Sequence, residues 1–312
     1  MESLLLAINV VLPVFMLIGL GYGLVKKDIV SKQSFTQMNK AIFNIFLPSS
    51  MMLSILESDL TQALNMRLFL FAVIGLIGSI VLSMLLIARY ETDRRKRASI
   101  VQGIYRSNFL LFGVPIIQSI YGEAKLSVVA LFIACVIPVL NLLAVLVLQY
   151  YRGGSFQIKE TCAGIITNPL ILASALGFLL VYFQVSLPQF ALTTLQSVGK
   201  IATPLALIAL GGSMQFRSLS KNKKQLIVIT IGKLIVLPLL ASLAGIALGF
   251  KGIELVTLTM LFGSPSAVAS FTMAEVMDAD CELAGQGILT TTLCSVVTVF
   301  LFIFGFNSAG LI

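Results

Sequence analysis

The stretch NFLLFGVPIIQSIYG, residues 108–122, places a proline inside a segment that is otherwise apolar enough to cross a membrane. Proline lacks a backbone N–H donor, and its ring displaces the carbonyl of the preceding turn. Because hydrocarbon contains no water to replace the lost hydrogen bond, a proline here is costly unless the freed groups serve a purpose. We therefore predict a broken helix that forms a polar site at the middle of the bilayer.

The composition of the whole chain fits a helical membrane protein. Of 312 residues, 58% are hydrophobic and only 11% are charged, whereas soluble proteins carry about 25% charged residues. The apolar runs are continuous rather than alternating, which predicts helices. The chain has no histidine, which excludes His-ligated zinc and Ser-His triads, and it has no Walker A motif. We expect neither an enzyme nor a bound metal or cofactor.

Apolar runs of about 20 residues, the length that crosses ~30 Å of hydrocarbon, occur along the entire chain. They predict an all-α integral membrane protein with ten transmembrane helices. Lys26 and Lys27 follow the first run instead of preceding it, so this run is expected to be retained and not cleaved as a signal peptide. The helices are called spans 1 to 10 here and lie at residues 4–25, 37–56, 68–89, 98–121, 126–150, 162–183, 191–213, 225–249, 254–277 and 282–306.

The positions of lysine and arginine predict the orientation. Most of them lie in loops after odd-numbered spans, whereas loops after even-numbered spans hold only Arg67, Lys125 and Lys251. Short cytoplasmic loops are rich in these residues, so we expect both termini outside the cytoplasmic membrane. The net charge of +8 then reflects topology and not a nucleic-acid partner. Within the spans, Lys200 and Lys233 are expected to snorkel or to satisfy helix ends.

The two halves of the sequence repeat each other. Pro13 and Pro169 are 156 positions apart, and so are Pro48 and Pro204, while LFGVP at 111–115 matches LFGSP at 261–265. Residues 1–150 and 151–312 each contain five spans, so the second half must run in the opposite direction through the membrane. A 5+5 inverted-topology repeat is typical of secondary transporters.

Spans 4 and 9 each carry Gly-x-Pro near their centres. Glycine permits unwound backbone, and proline suits the first turn of a new half-helix, whose free N–H groups attract anions. Ser264 is predicted to be the N-cap of the second half of span 9. Two prolines that only kink packed helices are the alternative. The predicted substrate-binding residues are Asn108, Gly113, Val114, Pro115, Gly263, Ser264, Pro265 and Ser266.

These residues resemble the auxin efflux carrier family, the plant PIN auxin exporters and their bacterial relatives. The resemblance is carried by Asn108 seven residues before Pro115, by the pair Asn168-Pro169, and by FGSPSAVASFTMAEVM before an acidic turn. It implies that transmembrane helices 4 and 9 cross at their prolines. It also implies a scaffold of helices 1, 2, 6 and 7 and a transport bundle of helices 3–5 and 8–10. The long cytoplasmic loop of the plant proteins is here only YYRGGSFQIKE, residues 150–160.

Four polar residues in or near the spans have two interpretations each. Asn108 either binds substrate or bonds neighbouring backbone, and Asn168 either supports the site or satisfies a carbonyl freed by the kink. Arg106 is an intramembrane cation, which suggests a functional group, although its side chain is long enough to snorkel. Glu275 is either an interfacial carboxylate or the ion-pair partner of Arg106.

The sequence thus predicts a secondary active transporter of small organic anions such as carboxylates, working by alternating access around a midplane crossover. The resemblance favours export, although the residues do not fix the direction. A sodium-coupled organic-anion symporter of the bile-acid type is the alternative. The expected partners are the anion, the lipid bilayer and either a coupling proton or a sodium ion, and a homodimer is compatible with the sequence.

Overall fold

The computed structural model describes residues 2–57, 65–153, 166–213 and 220–312, and these residues are almost entirely helical. Side chains are described for the same ranges apart from residues 2–10, 123–131 and 153. The helices are α1 Glu2–Lys26, α2 Lys32–Ala41, α3 Leu47–Leu56, α4 Met66–Tyr90, α5 Arg94–Tyr105, α6 Val114–Tyr121, α7 Glu123–Gly153, α8 Pro169–Tyr182, α9 Gln189–Ser213, α10 Lys223–Ile231, α11 Leu237–Ala247, α12 Gly252–Gly263, α13 Ala269–Val276 and α14 Cys281–Ser308.

Three π-helical turns join some of these helices, and each is followed directly by an X-Pro pair. They are π1 Ile42–Phe46, π2 Phe109–Gly113 and π3 Gly232–Val236, and they precede Leu47-Pro48, Val114-Pro115 and Leu237-Pro238. A π turn contains one extra residue, and its N–H groups donate to the carbonyl five residues earlier. Val114 N–H, for example, donates to Phe109 O, so the hydrogen bonding continues up to the proline, which has no donor. Proline is therefore absorbed at these places without a break in the helix.

The described residues include five helices that are long and apolar enough to cross a membrane: Met66–Tyr90, Phe132–Arg152, Gln189–Ser213, Lys223–Ala247 and Cys281–Ser308. Shorter apolar helices cover Val11–Lys26, Phe109–Tyr121, Pro169–Tyr182 and Gly252–Gly263. The expectation of an all-helical membrane protein is confirmed at this level. The helices of spans 4 and 9 are short because non-helical backbone interrupts both spans.

Close glycine contacts join α1 to α9. A Cβ atom on Gly21 would lie 1.9 Å from Ile208 O, and one on Gly211 would lie 1.9 Å from Ile18 O. The two backbones therefore touch at both places, and any larger residue would push the helices apart. In the same way Gly177 of α8 packs on Ile55 of α3. Helices α1, α3, α8 and α9 thus form one packed group.

The remaining helices pack around spans 4 and 9. Helix α5 contacts α4, α7, α10 and α14, while α12 packs against α11 and π2, and α13 packs against α14. The two groups meet where α13 contacts α2 and α9 and where α1 contacts α14. The interrupted parts of spans 4 and 9 lie between these contacts.

Candidate functional site

The two interrupted spans pair with each other through their backbones. Ser107 and Ser266 form an isolated antiparallel β-bridge. Asn108 N–H donates to Pro265 O at 2.8 Å, and Ala267 N–H donates to Arg106 O at 3.3 Å. Backbone groups that lose their helical partners need new ones in a membrane, and each broken span supplies them to the other. Spans 4 and 9 therefore cross at this bridge.

The break in span 4 does not lie at Gly113-Val114-Pro115, where it was predicted. Helix α5 ends at Tyr105, residues 106–108 are non-helical, and the chain is helical again from Phe109. Gly113 ends the π2 turn, and a Cβ atom there would lie 2.4 Å from Phe109 Cδ2 and 3.1 Å from Met260 Cβ. Gly113 is thus required for close packing, and Pro115 is accommodated by the π turn rather than opening the helix.

The break in span 9 does coincide with Gly263-Ser264-Pro265, but the role predicted for Ser264 is wrong. Ser264 is the C-cap of α12, and its hydroxyl donates to Met260 O at 2.7 Å. The N-cap of α13 is Val268, which makes no side-chain capping bond. The residue before a proline is driven towards extended backbone, and Ser264 has ψ 152°, so it ends one helix rather than starting the next.

The stretches LFGVP and LFGSP, which match in sequence, differ in their structure. Ser107 and Ser266 are 159 positions apart, close to the 156 that separates Pro13 from Pro169. The match between LFGVP and LFGSP has a spacing of 150 and pairs an unbroken π turn with a real break. The five-residue match in sequence is therefore not a match in local structure.

A cavity of about 110 Å³ lies beside the bridge. It is bounded by both packed groups of helices and by both crossing segments, so it occupies the place where a carrier would hold its substrate. The lining residues are Leu47, Met51, Arg106, Ser107, Asn108, Phe109, Leu110, Leu111, Ile137, Leu140, Asn141, Thr203, Ala206, Ala267, Val268 and Ala269.

Two of the predicted site residues, Asn108 and Arg106, line this cavity. Six of the others lie along the crossing spans but outside the lining, because they sit in π2, in α6, at the end of α12 and in the turn that enters the bridge: Gly113, Val114, Pro115, Gly263, Ser264 and Pro265. Ser266 is also outside the lining, and its hydroxyl donates to Gly103 O at 2.7 Å. These residues therefore shape the crossing instead of facing the cavity.

Two helix N-termini face the same cavity. Residues 108–111 begin the second half of span 4, and residues 267–269 begin α13. The first N–H groups of a helix have no intrahelical acceptor and carry the positive end of the helix dipole. At the start of α13, Ala267 N–H already donates to Arg106 O and Ser270 N–H to Ala267 O. The caps Asn108 and Val268 make no side-chain capping bonds, so the remaining N–H groups are not occupied by the side chains of their own caps. The backbone itself thus favours an anion here.

Arg106 adds a full positive charge to the lining. It is only 2% exposed, so it does not snorkel to the surface. Its Nη2 donates to Asn141 Oδ1 at 2.7 Å, and its Nη1 lies 2.7 Å from Met273 Sδ. Both partners are neutral.

The ion pair between Arg106 and Glu275, one of the two interpretations of Glu275, is not formed, since both side chains have other partners. The Glu275 carboxylate accepts hydrogen bonds from Asn39 Nδ2 and from the Thr36 side chain, and Thr272 Oγ1 donates to Asn39 Oδ1 at 3.4 Å. Helix α13 presents Glu275 to α2 and Met273 to Arg106, and residues two apart on a helix point in different directions. Glu275 therefore connects the second half of span 9 to the first half of span 2.

Three further predictions concern single side chains. Asn168 Oδ1 accepts from Leu170 N–H at 3.0 Å, so this side chain caps the start of α8. Lys200 is exposed. Lys233 is fully buried and its Nζ donates to Tyr105 O at 3.3 Å, which confirms that it satisfies a helix end.

Sequence reasoning missed Asn141 and Asn39. Asn141 lies three residues after Pro138 in α7, and neither residue belongs to a motif that recurs in the other half of the sequence. Both are asparagines within apolar or amphipathic helices, and a buried amide there must find partners. An inventory of every amide inside a predicted span would have found Asn141.

Comparisons with known proteins find similarity to membrane transporters. The family described as "Membrane transport protein" matches residues 6–303. An uncharacterized transporter of Methanothermobacter thermautotrophicus is 26% identical over 293 residues, covering 93% of this chain and 95% of its own. An uncharacterized transporter of Methanocaldococcus jannaschii is 24% identical over 310 residues, covering 95% and 98%. The uncharacterized transporter YfdV of Escherichia coli strain K12 is 21% identical over 300 residues, covering 94% and 95%.

Proposed function

The chain belongs to the membrane transport protein family, as its resemblance to the auxin efflux carriers predicted, and from this premise we propose that it carries small organic anions across the cytoplasmic membrane. The substrates are carboxylates small enough for the crossover cavity. Transport is secondary, with alternating access around the bridge between Ser107 and Ser266. The names of its relatives give no substrate, so the proposal rests on the site.

Arg106 is the observation that carries this proposal. Its guanidinium is buried and lines the cavity, and among the described residues its hydrogen-bond partners, Asn141 and Met273, are both neutral. A buried charge without a counter-charge costs several kcal/mol, and an arginine inside a membrane is rare unless it takes part in function. An anionic substrate supplies the missing charge. The two helix N-termini at the same cavity add N–H donors for its oxygens.

The proposed movement is that of one group of helices against the other. Spans 1, 2, 6 and 7 form the scaffold, and spans 3–5 and 8–10 form the transport bundle, with residues 1–150 and 151–312 as inverted repeats of five spans each. The cavity is lined from both sides, by Leu47 and Thr203 on the scaffold and by Arg106 and Val268 on the bundle. A shift of the bundle past the scaffold would expose the bound anion to the other side.

Uptake into proteoliposomes tests the proposal. The purified protein is assayed with a panel of labelled mono- and dicarboxylates while the sodium and proton gradients are set independently. We expect saturable carboxylate uptake that falls at least tenfold in Arg106→Gln, because the charge that binds the anion is removed. Arg152→Gln is the matched control, since Arg152 is half exposed and pairs with Asp278 at the surface. Movement of alkali cations alone, or full activity of Arg106→Gln, would refute the proposal.

The bile-acid type of sodium symporter has no support from the relatives described above. The same assay separates it from the proposal, because uptake would then require a sodium gradient.

A further inference from the structure

Lys233 is the second cation buried at the crossover, and it lies behind the bridge rather than in the cavity lining. It is fully buried in the π3 turn of span 8, and the one hydrogen bond described for its ammonium goes to Tyr105 O at 3.3 Å. An ammonium group has three donors. A lysine at this depth is costly unless a negative potential stabilises it.

The end of α5 supplies such a potential. Helix α5 ends at Tyr105 because the chain turns into the bridge, and the last carbonyls of a helix carry the negative end of its dipole. Two neighbouring carbonyls are occupied by the crossing itself, Gly103 O by the Ser266 hydroxyl and Arg106 O by Ala267 N–H. Tyr105 O, another carbonyl at this helix end, accepts from the Lys233 ammonium.

Span 8 and α5 are closely packed around the contact between Lys233 and Tyr105 O. Span 8 approaches α5 closely at Gly232, where a Cβ atom would lie 3.3 Å from Ile104 Cγ1. One turn before Tyr105, the side-chain amide of Gln102 is fully buried, and neither of its polar atoms has a hydrogen-bond partner among the described residues. The same holds for the Tyr105 hydroxyl. Two side chains without a described hydrogen-bond partner, Gln102 and Tyr105, thus lie on the last turn of α5, whose final carbonyl accepts from Lys233.

Broken helices in secondary transporters use their carbonyl ends to coordinate coupling cations. We propose that the Lys233 ammonium fills such a cation site permanently, as a tethered cation, so that anion transport needs no dissolved alkali cation. Removal of Lys233 opens a site for a small monovalent cation at Tyr105 O. This inference rests on the proposed anion transport, but the cation site itself can be tested without it.

The first experiment measures cation binding by thermal stability in purified Lys233→Ala. We expect methylammonium chloride to raise its melting temperature saturably relative to tetramethylammonium chloride, which has no N–H donor. Sodium chloride forms a separate arm, because either cation fits the proposal. The wild type and Lys200→Ala, whose lysine is exposed, should show no such difference. Identical curves for Lys233→Ala in all three salts would overturn the proposed site.

The second experiment measures carboxylate uptake. The wild type should transport equally well in sodium-free N-methylglucamine buffer, and Lys233→Ala should lose at least tenfold and recover in part with methylammonium or sodium. Lys233→Gln keeps a donor for Tyr105 O without the charge, so it should fail, whereas Lys233→Arg should retain activity. Wild-type activity in Lys233→Gln would mean that a neutral helix cap suffices and would refute the tethered cation.

The two experiments separate the two proposals. A wild type that moves no carboxylate, together with a cation-dependent melting temperature in Lys233→Ala, refutes the anion function and leaves the cation site standing. A wild type that transports, together with a Lys233→Ala variant that is active and insensitive to cations, refutes the tethered cation alone. If Lys233→Ala does not fold, the uptake of Lys233→Gln and Lys233→Arg decides.

Discussion

The guanidinium of Arg106 is held by a neutral acceptor, Asn141 Oδ1, at 2.7 Å. A carboxylate at position 141 would form an ion pair at that distance and compete with any external anion. Asn141→Asp is therefore expected to raise the KM for carboxylate uptake at least tenfold, with a melting temperature equal to or above that of the wild type. Concentration-dependent uptake and thermal unfolding of the same preparation measure both quantities.

Asn141→Ala is the matched control for that substitution. It removes a hydrogen bond to a charged group, worth about 1.5–3 kcal/mol, but leaves the positive charge free to bind an anion. We expect lower stability and a smaller rise in KM than in Asn141→Asp. An unchanged KM in Asn141→Asp would show that Arg106 does not bind the substrate.

Single residues differ in how far their roles could be predicted. Arg106 and Asn108 stood out because a cation and an amide inside an apolar span need a reason to be there, and both line the cavity. The partner of Glu275 could not be predicted, since it depends on which face of α13 turns towards span 2. Sequence spacing places Glu275 and Arg106 at similar depth in the membrane. In the structure, however, the face of α13 that carries Glu275 points to Asn39, and a different face contacts Arg106 through Met273.

At the scale of elements, the two prolines of the crossing spans have different roles. Pro265 lies in the non-helical segment and its carbonyl accepts from Asn108 N–H, whereas Pro115 lies in a continuous helix after a π turn. We expect Pro265→Ala to reduce transport strongly, because α12 can then extend through Ser264 and disrupt the bridge. Pro115→Ala should reduce transport less than threefold, since a π turn that relaxes to an α turn leaves residues 106–108 in place.

Transport rate and melting temperature of both variants provide the measurement. Pro138→Ala serves as a control for loss of a proline inside a helix. The structure thus replaces the expectation that both prolines act alike. Equal losses in Pro115→Ala and Pro265→Ala would mean that the π turn, and not only the bridge, is part of the moving site.

The sequence predicted the existence of the two broken spans better than the position of the break. Gly-x-Pro marks places where helical hydrogen bonding is weakened, but a π turn and a true break are both solutions to a missing donor. Which one forms is decided by a distant partner, because extended residues in a membrane need backbone acceptors and donors from another segment. Span 9 supplies them to residues 106–108 and not to residues 113–115.

At the scale of the whole molecule, the distribution of Lys and Arg predicts which side each loop faces. Single cysteines introduced near Lys96 and Lys223 should be labelled by membrane-impermeant reagents only from the cytoplasm, and one near Lys251 only from outside. The last helix ends at Ser308, so Ser308→Cys should be labelled from outside. Labelling of Ser308→Cys from the cytoplasm alone would contradict the ten-span topology.

The contact of Asn39 with Glu275 joins the proposed scaffold to the proposed transport bundle. By the predicted orientation both residues lie on the cytoplasmic side of the crossing, so this contact must open when the site turns towards the cytoplasm. A reversible cross-link between Asn39→Cys and Glu275→Cys, in a background without the four native cysteines, should therefore stop carboxylate transport. Reduction of the link should restore the rate that the double variant had before cross-linking.

The matched control lies within the bundle. Ser99 Oγ donates to Asp280 O at 2.7 Å, and this contact joins the start of α5 to the N-cap of α14. If the bundle moves as one body, a cross-link between Ser99→Cys and Asp280→Cys ties residues that never separate, and transport should persist. Uptake is measured for both pairs before cross-linking, after it and after reduction. Persistent transport through the linked 39–275 pair would show that the two groups of helices do not separate there, and arrest of the 99–280 pair would show that the bundle itself deforms during transport.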